Sequence, residues 1–156
     1  MAGDLHEFLA RDHERLDALL RSCLRGDHES YAEFRGGLLR HISIEERVLF
    51  PELRKRGVGV AMEQQLHRDH AALAALLVPP PSRLEIEQIA AILEVHNEIE
   101  ENAVGLYELV ESLAGDELMG LMVRVHAIPV VRVAPHVDNA LVRSTIETLL
   151  RERLDC

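Results

Sequence analysis

Cysteine, long apolar runs and positive charge are all scarce in this sequence of 156 residues. Two cysteines, Cys23 and Cys156, are too few for a disulfide framework or for a zinc site built from cysteines. The longest uninterrupted apolar run, residues 71–78, is far too short to span a bilayer. Acidic residues outnumber basic ones by 27 to 17, and the formal charge of −10 would repel nucleic acid and anionic lipid.

The amino-terminal stretch MAGDLHEFLARD is too polar for a signal peptide. The apolar content of 47% is ordinary for a globular protein, and the chain is long enough for one domain with a proper core. We therefore expect a soluble cytoplasmic protein that binds neither nucleic acid nor membrane.

The most informative pattern is a histidine followed four residues later by a glutamate, and it occurs twice. His41 and Glu45 lie in HISIEE, and His96 and Glu100 lie in HNEIEE. On a helix, residues four apart share one face, and here that face is otherwise apolar. Burying an unpaired carboxylate is costly, and no lysine or arginine lies on these faces to pair with it. A bound metal ion is the simplest explanation.

Two further histidines extend this pattern into an internal duplication. RDHERLDALL, with His13, matches RDHAALAALL, with His70. Each half of the chain therefore has the order His, then His-x-x-x-Glu, which predicts two helical hairpins related by a pseudo-twofold axis. Such an axis would bring four imidazoles and two carboxylates to the centre of a bundle. The candidate metal ligands are His13, His41, Glu45, His70, His96 and Glu100.

This ligand set suits a pair of metal ions. Two octahedral ions need about twelve ligand positions. Each glutamate can bridge both ions, a bridging oxo, hydroxo or water group adds two positions, and two histidines serve each ion. Two positions then remain for water or a small ligand. His67 is a candidate for one of them, for a group that holds a ligand in place, or for an exposed residue. Imidazole and carboxylate without thiolate suit iron or manganese, and zinc is possible.

Helical spacing of apolar residues predicts four long helices, over residues 5–24, 30–54, 60–78 and 83–113. Pro51 is expected to kink the last turn of the second helix. Gly105 is expected to interrupt the fourth helix without ending it. We assign residues 1–115 to this bundle.

Residues 116–156 form a C-terminal extension of different character. It is predicted to comprise a short helix over 117–126, an extended stretch bracketed by prolines over 127–135, and a helix over 138–154. The extension either covers one end of the bundle or contacts a partner subunit, and the sequence does not choose between these.

At these motifs the sequence resembles the hemerythrin-like family, whose domains are named for their His-His-Glu motifs. The resemblance covers residues 5–113 and rests on both RDH words, on HISIEERVLFPEL and on HNEIEE. It implies an all-α, up-down-up-down four-helix bundle around a non-haem di-iron centre. Oxygen-carrying members have His-x-x-x-His on the third helix and His-x-x-x-x-Asp on the fourth, whereas this chain has Leu66 before His70 and Glu100 after His96. With fewer histidines, sensing or redox chemistry is favoured over reversible oxygen carriage.

Three functions remain open. The first is the binding of O2 or NO at an open iron position, for carriage, storage or sensing, by a monomer or homodimer. The second is a redox enzyme that reduces peroxide or NO with outside electrons. It ranks lower because the sequence shows no dedicated acid–base residue. The third is an iron or redox sensor in which the C-terminal extension is the output.

Other residues near the motifs are expected to have structural roles or to be exposed to solvent. Glu46 and Glu101 point about 100° away from the ligand glutamates, so they are solvated or contact a ligand from outside. Tyr107 is expected to serve core packing rather than redox chemistry, and Cys23 to be an inert buried thiol. The remaining histidines are expected to be out of reach, structural or exposed: His6, His28, His126 and His136.

Overall fold

The computed structural model describes residues 3–155, which contain no β-strand, and it confirms the predicted all-α fold class. The α-helices are α1 Asp4–Leu24, α2 His28–Ile44, α3 Phe50–Arg56, α4 Val60–Leu76, α5 Arg83–Glu101, α6 Leu106–Ala114, α7 Leu118–Ala127 and α8 Ala140–Glu152. Two hairpins, α1 with α2–α3 and α4 with α5–α6, form a four-helix bundle with a C-terminal helical extension. The prediction for Cys156 lies outside the described residues. No helix in the described range combines the length and apolarity needed to cross a membrane.

The turns within both hairpins follow from capping residues. Gly26 ends the first helix with φ of +96°, a conformation that favours glycine. The carboxylate of Asp27 then accepts backbone N–H groups in the first turn of α2. After three prolines, the hydroxyl of Ser82 accepts the N–H of Glu85 and begins α5. These caps fix where each hairpin reverses direction.

The second arm of the bundle is continuous from α2 to α3, but its middle is a π-helical segment, Glu45–Leu49. There the N–H of Phe50 donates to the carbonyl of Glu45, five residues back. Pro51 follows directly. It has no N–H, and its ring crowds the carbonyl four residues earlier, which favours a wider turn. The disturbance that Pro51 predicts thus takes the form of a π segment that begins at a candidate ligand.

The prediction of one long fourth helix is wrong, because residues 102–105 separate α5 from α6. The side-chain amide of Asn102 donates to the carbonyl of Glu98, and its oxygen accepts an N–H inside the turn. A Cβ atom on Gly105 would lie 2.4 Å from the carbonyl oxygen of Ile99, so the backbone approaches too closely for any other residue. Gly105 therefore starts a new helix instead of interrupting an old one.

Two apolar clusters fill the bundle, one on each side of a polar layer. Along α1, Leu16 and Leu20 belong to one cluster, here called the Leu16 cluster. Leu5 and Leu9 belong to the other, the Leu9 cluster, and His13 lies between the two. Close packing on both sides holds the helices, and hence the polar side chains between them, in fixed positions.

The C-terminal extension wraps around the bundle. α7 buries Leu121 and Val125 in the Leu9 cluster, and α8 buries Ile146 in the Leu16 cluster against α4. Between these helices residues 128–139 are not helical, which includes most of the stretch predicted to be extended, 127–135, and the last helix begins two residues after its predicted start at 138. Arg40 Nε donates to a carbonyl in this segment over 3.0 Å. The extension therefore covers its own bundle. A contact with a partner subunit stays a prediction, as does the domain boundary at residue 115.

Candidate metal centre

The six candidate ligands converge in the polar layer between the two apolar clusters. Their side chains are buried, with at most 6% of any residue exposed. They are His13 on α1, His41 on α2, Glu45 on the π segment, His70 on α4, and His96 and Glu100 on α5. Every arm of the bundle therefore supplies at least one of them.

The first group of donors consists of His13, His41, Glu45 and Glu100, whose donor atoms all lie within 4.8 Å of one another. His41 Nε2 is 2.9 Å from Glu45 Oε1, and His13 Nε2 is 3.1 Å from Glu100 Oε2. The two imidazole rings lie side by side, with centroids 4.5 Å apart. Donors from α1, the second arm and α5 thus surround one point.

The second group consists of His70 and His96 with the same two glutamates, again within 4.8 Å. His70 Nε2 is 3.0 Å from Glu45 Oε2, and His96 Nε2 is 2.8 Å from Glu100 Oε1. Each glutamate thus turns one oxygen to each group. This sharing agrees with the predicted bridging role of Glu45 and Glu100, while ligation itself stays a prediction.

Each of the four imidazoles is held through its Nδ1 atom by a carboxylate. His41 Nδ1 donates to Asp12 over 2.8 Å, and His96 Nδ1 donates to Asp69 over 3.0 Å. Each of these aspartates comes from the RDH word in the same half of the chain. The bonds fix the rings so that every Nε2 faces the centre.

The other two Nδ1 partners come from the opposite half of the chain. His70 Nδ1 donates to Glu46 over 2.7 Å, and His13 Nδ1 donates to Glu101. The two glutamates directly follow the candidate ligand glutamates in the sequence. The pseudo-twofold relation therefore extends from the six candidate ligands to the four carboxylates that hold the imidazoles.

Burial and neighbouring charges shift the pKa values of these groups. Burial lowers the pKa of His41, but the carboxylates of Glu45 and Asp12 raise it to about 10. For His96, burial again lowers the pKa and Glu100 raises it, with the same outcome of about 10. Burial and the neighbouring Glu45 raise the pKa of Glu100, yet His96 lowers it to about 2. Without a cation, the centre is held by imidazolium–carboxylate pairs.

Unpaired atoms in the second group test whether a cation fits. Glu45 Oε2, His70 Nε2 and Glu100 Oε1 are buried and have no hydrogen-bond partner within residues 3–155. Although imidazole and carboxylate atoms approach closely, they lack the directions that a hydrogen bond requires. Buried polar atoms without partners are costly, and one cation among them would satisfy all three. The imidazole and carboxylate donors suit iron, manganese or zinc.

A cavity of about 410 Å³ reaches the centre from the side of the Leu16 cluster. Its wall is largely apolar and includes Leu38, Leu73 and Ala90, and it ends at His13, His41 and His96 among others. The carboxylate residues Glu14, Asp17 and Glu94 also line the cavity. A small uncharged molecule could therefore reach the candidate ligands along a wall that is largely apolar.

Residues outside the candidate set fall into two kinds. His67 is largely exposed, and its Nδ1 donates to Glu46 over 2.8 Å, so it holds a partner of His70 and does not face the centre. His6 bonds Glu108 and stays outside both groups. The peripheral histidines His28, His126 and His136 are exposed, and Cys23 is buried as predicted.

Sequence reasoning missed the roles of Asp12 and Asp69 and the position of the Tyr107 hydroxyl. The two aspartates could have been identified from the sequence, because the RDH motif is repeated with its aspartate in both halves of the chain. Tyr107 is part of the core, as predicted, but its hydroxyl is 2.7 Å from Glu45 Oε1. No sequence repeat marks that contact.

Comparison with known proteins identifies the family to which this site belongs. Residues 4–124 match the family model described as the hemerythrin HHE cation binding domain. Neither the curated proteins nor the solved structures contain a significant match to the chain. The family match spans most of the chain, and together with the buried His and Glu groups it indicates a metal-cation site. The chain belongs to the hemerythrin HHE cation-binding domain family.

Proposed function

We propose that this protein holds two iron ions and binds O2 or NO at an open iron position, for carriage, storage or sensing. The observation that carries the proposal is the pair of donor groups that share both carboxylates. His13 and His41 would serve one ion, and His70 and His96 the other. Glu45 and Glu100 would bridge both. Zinc or manganese fit the same donors, so iron rests on the family resemblance and on the absence of thiolate donors.

Iron supplies the electrons and the affinity for diatomic gases, while the chain supplies position and surroundings. The Nδ1 bonds keep the four imidazoles in one orientation, so that ligand geometry is set before a metal arrives. Apolar clusters on both sides of the polar layer limit its contact with water. The apolar cavity beside the centre supports the entry of a small neutral ligand.

Metal analysis with an optical spectrum tests this proposal. Full-length protein is purified without oxygen, its metals are counted, and the reduced protein is exposed to O2 or NO. We expect two iron ions per chain and a visible absorption change that reverses when the gas is removed. Absence of iron binding would overturn the proposal. Repeated turnover of peroxide or NO would instead favour a redox enzyme.

A variant in the cavity tests the route of entry. Ala90 lines the cavity, and its neighbour Ala91 on α5 is exposed. A phenylalanine at position 90 should fill the apolar space and slow gas binding, with little effect on iron content. Ala91→Phe adds the same bulk outside the cavity and should bind at the original rate. Stopped-flow absorption measures both, and equal rates in the two variants would exclude this route.

One contact favours a sensing role within this proposal. Arg153, at the end of the C-terminal extension, donates through Nε to Asp69 Oδ1 over 3.0 Å. The other oxygen of Asp69 is the partner of His96 Nδ1. A change at His96 can therefore be transmitted to α8. Hydrogen exchange of α8 should differ between metal-free and metal-loaded protein, and identical exchange would remove this role.

A further inference from the structure

The hydroxyl of Tyr107 lies inside the first donor group. It is 2.7 Å from Glu45 Oε1, 3.0 Å from Glu100 Oε2, 3.1 Å from His13 Nε2 and 3.2 Å from His41 Nε2. The whole side chain is buried, with no exposed surface. One oxygen atom thus lies at nearly equal distances from all four donors of that group.

The break between α5 and α6 brings this hydroxyl to the centre. In an unbroken helix, Tyr107 would lie about 10 Å along the axis from Glu100, since each residue advances about 1.5 Å. The turn over residues 102–105 redirects the chain, and the Tyr107 hydroxyl comes within 3.0 Å of Glu100. Gly105 permits this turn because its backbone lies against the carbonyl of Ile99.

These distances match the spacing of ligands around one metal ion. Two donors bound at right angles to the same metal, each at ~2.1 Å, are about 3.0 Å apart. The Tyr107 oxygen has that relation to all four donors of the first group. In the second group, by contrast, Glu45 Oε2, His70 Nε2 and Glu100 Oε1 have no hydrogen-bond partner among the described residues. The two groups therefore have the same kinds of donor, but only the first has a tyrosine hydroxyl beside it.

We propose that Tyr107 is a fifth protein ligand of the cation held by His13, His41, Glu45 and Glu100. This inference rests on the proposed metal function. As the phenol oxygen binds ferric iron, its O–H bond breaks and the proton passes to solvent. With the tyrosine in place and a bridging group between the ions, the first position has six ligands. The position left open to O2 or NO is then on the second ion, beside His70 and His96.

Spectroscopy of the ferric protein tests this assignment. Full-length protein is loaded with iron, oxidised, and its iron counted. We expect two iron ions per chain, a visible band from phenolate-to-iron charge transfer, and tyrosine ring vibrations enhanced in resonance Raman spectra excited in that band. Tyr107→Phe should lose both the band and the enhanced vibrations.

The second tyrosine of the chain provides the matched control. The chain has two tyrosines, and the buried hydroxyl of Tyr31 has no partner among the described residues. Tyr31→Phe should keep the full signal, and in that variant any tyrosine signal comes from Tyr107 even where Tyr107→Phe fails to fold. Two iron ions without a tyrosine signal would overturn the ligand role and leave the proposed function standing. A chain that binds no iron would overturn both.

Discussion

At the scale of single residues, each of the four candidate imidazoles is held through Nδ1 by a carboxylate. Glu101 accepts the Nδ1 proton of His13, and Asp12 does the same for His41. Such a partner fixes the ring and makes the opposite nitrogen a better donor to a metal. Loss of one partner should therefore weaken metal binding while the fold is retained.

Glu101→Gln tests this expectation. The amide is a poorer acceptor for the N–H of His13, so we expect metal affinity to fall by ~10–100-fold. Competition with a chelator measures the change. Glu98→Gln is the control, because Glu98 lies on the same helix with an exposed side chain and should bind as the original chain does. Equal affinities of the two variants would contradict the prediction.

Protons should leave the centre when a metal enters. The pKa of His41 and of His96 is raised to about 10 in the metal-free protein, so both imidazoles carry protons at neutral pH. A metal bound at Nε2 displaces them, which predicts the release of about two protons per chain from these histidines. Calorimetry in buffers of different ionisation enthalpy counts the protons, and no release would contradict this prediction.

The same pKa shifts determine how the stability of the metal-free fold and the affinity for metal depend on pH. A histidine with a raised pKa stabilises the metal-free fold fully below its ordinary pKa of 6.5, and this stability is lost as pH rises through about 10. Metal binding has the opposite trend, because fewer protons compete at higher pH. We therefore expect metal affinity to rise, and metal-free stability to fall, between pH 6.5 and 10.

The candidate ligands were predictable from sequence, whereas most of their partners were not. A repeated His and Glu pattern on apolar faces indicates burial wherever the helices pack. An aspartate next to a histidine points about 100° away on the helix, and only the neighbouring helix decides whether it faces solvent or an imidazole. Asp12 and Asp69 face imidazoles, and only their repetition in the two RDH motifs distinguishes them from the exposed Asp17.

At the scale of elements, the break in the fourth arm decides what reaches the centre. Without the turn at residues 102–105, the arm would carry Tyr107 past the centre instead of into it. Sequence could not predict this, because the stretch keeps helical spacing and Gly105 alone does not end a helix. The π segment was equally hidden, since proline in a helix allows a kink, an end or a wider turn.

Gly105→Ala tests the break. The added Cβ would lie 2.4 Å from the carbonyl of Ile99, so the turn must open, and we expect the free energy of unfolding to fall by about 1–3 kcal/mol. Gly120→Ala is the control, because Gly120 lies in α7 with open space around it. That variant should be more stable by about 0.5–1 kcal/mol. Urea denaturation measures both, and stability changes of the same sign would contradict the account.

At the scale of the whole molecule, the C-terminal extension connects the outside of the bundle to the centre. The sequence predicted its helices, but their docking depends on long-range contacts that no local pattern encodes. α8 packs on α4, and Arg153, the residue after its end, donates to Asp69. Burial raises the pKa of Asp69, while His96 and Arg153 lower it, so that the net shift is downward. Asp69 therefore stays charged and remains an acceptor for His96.

Arg153→Ala should loosen this connection. We expect faster hydrogen exchange in α8 and a loss of metal affinity smaller than the ~10–100-fold expected for direct partners, because Asp69 itself remains. Arg151→Ala, which removes an exposed arginine from the same helix, is the control. Hydrogen exchange with mass spectrometry measures the first effect and chelator competition the second. Identical behaviour of the two variants would show that Arg153 is not part of the connection.

The division of donors between the two halves also orders events during synthesis on the ribosome. A growing chain has His13, His41 and Glu45 long before Glu100 emerges, and both donor groups include Glu100. Nascent fragments that stop short of Glu100 therefore lack one donor of each group. We expect capture of a metal cation to be a late step in biogenesis, after both hairpins have been made.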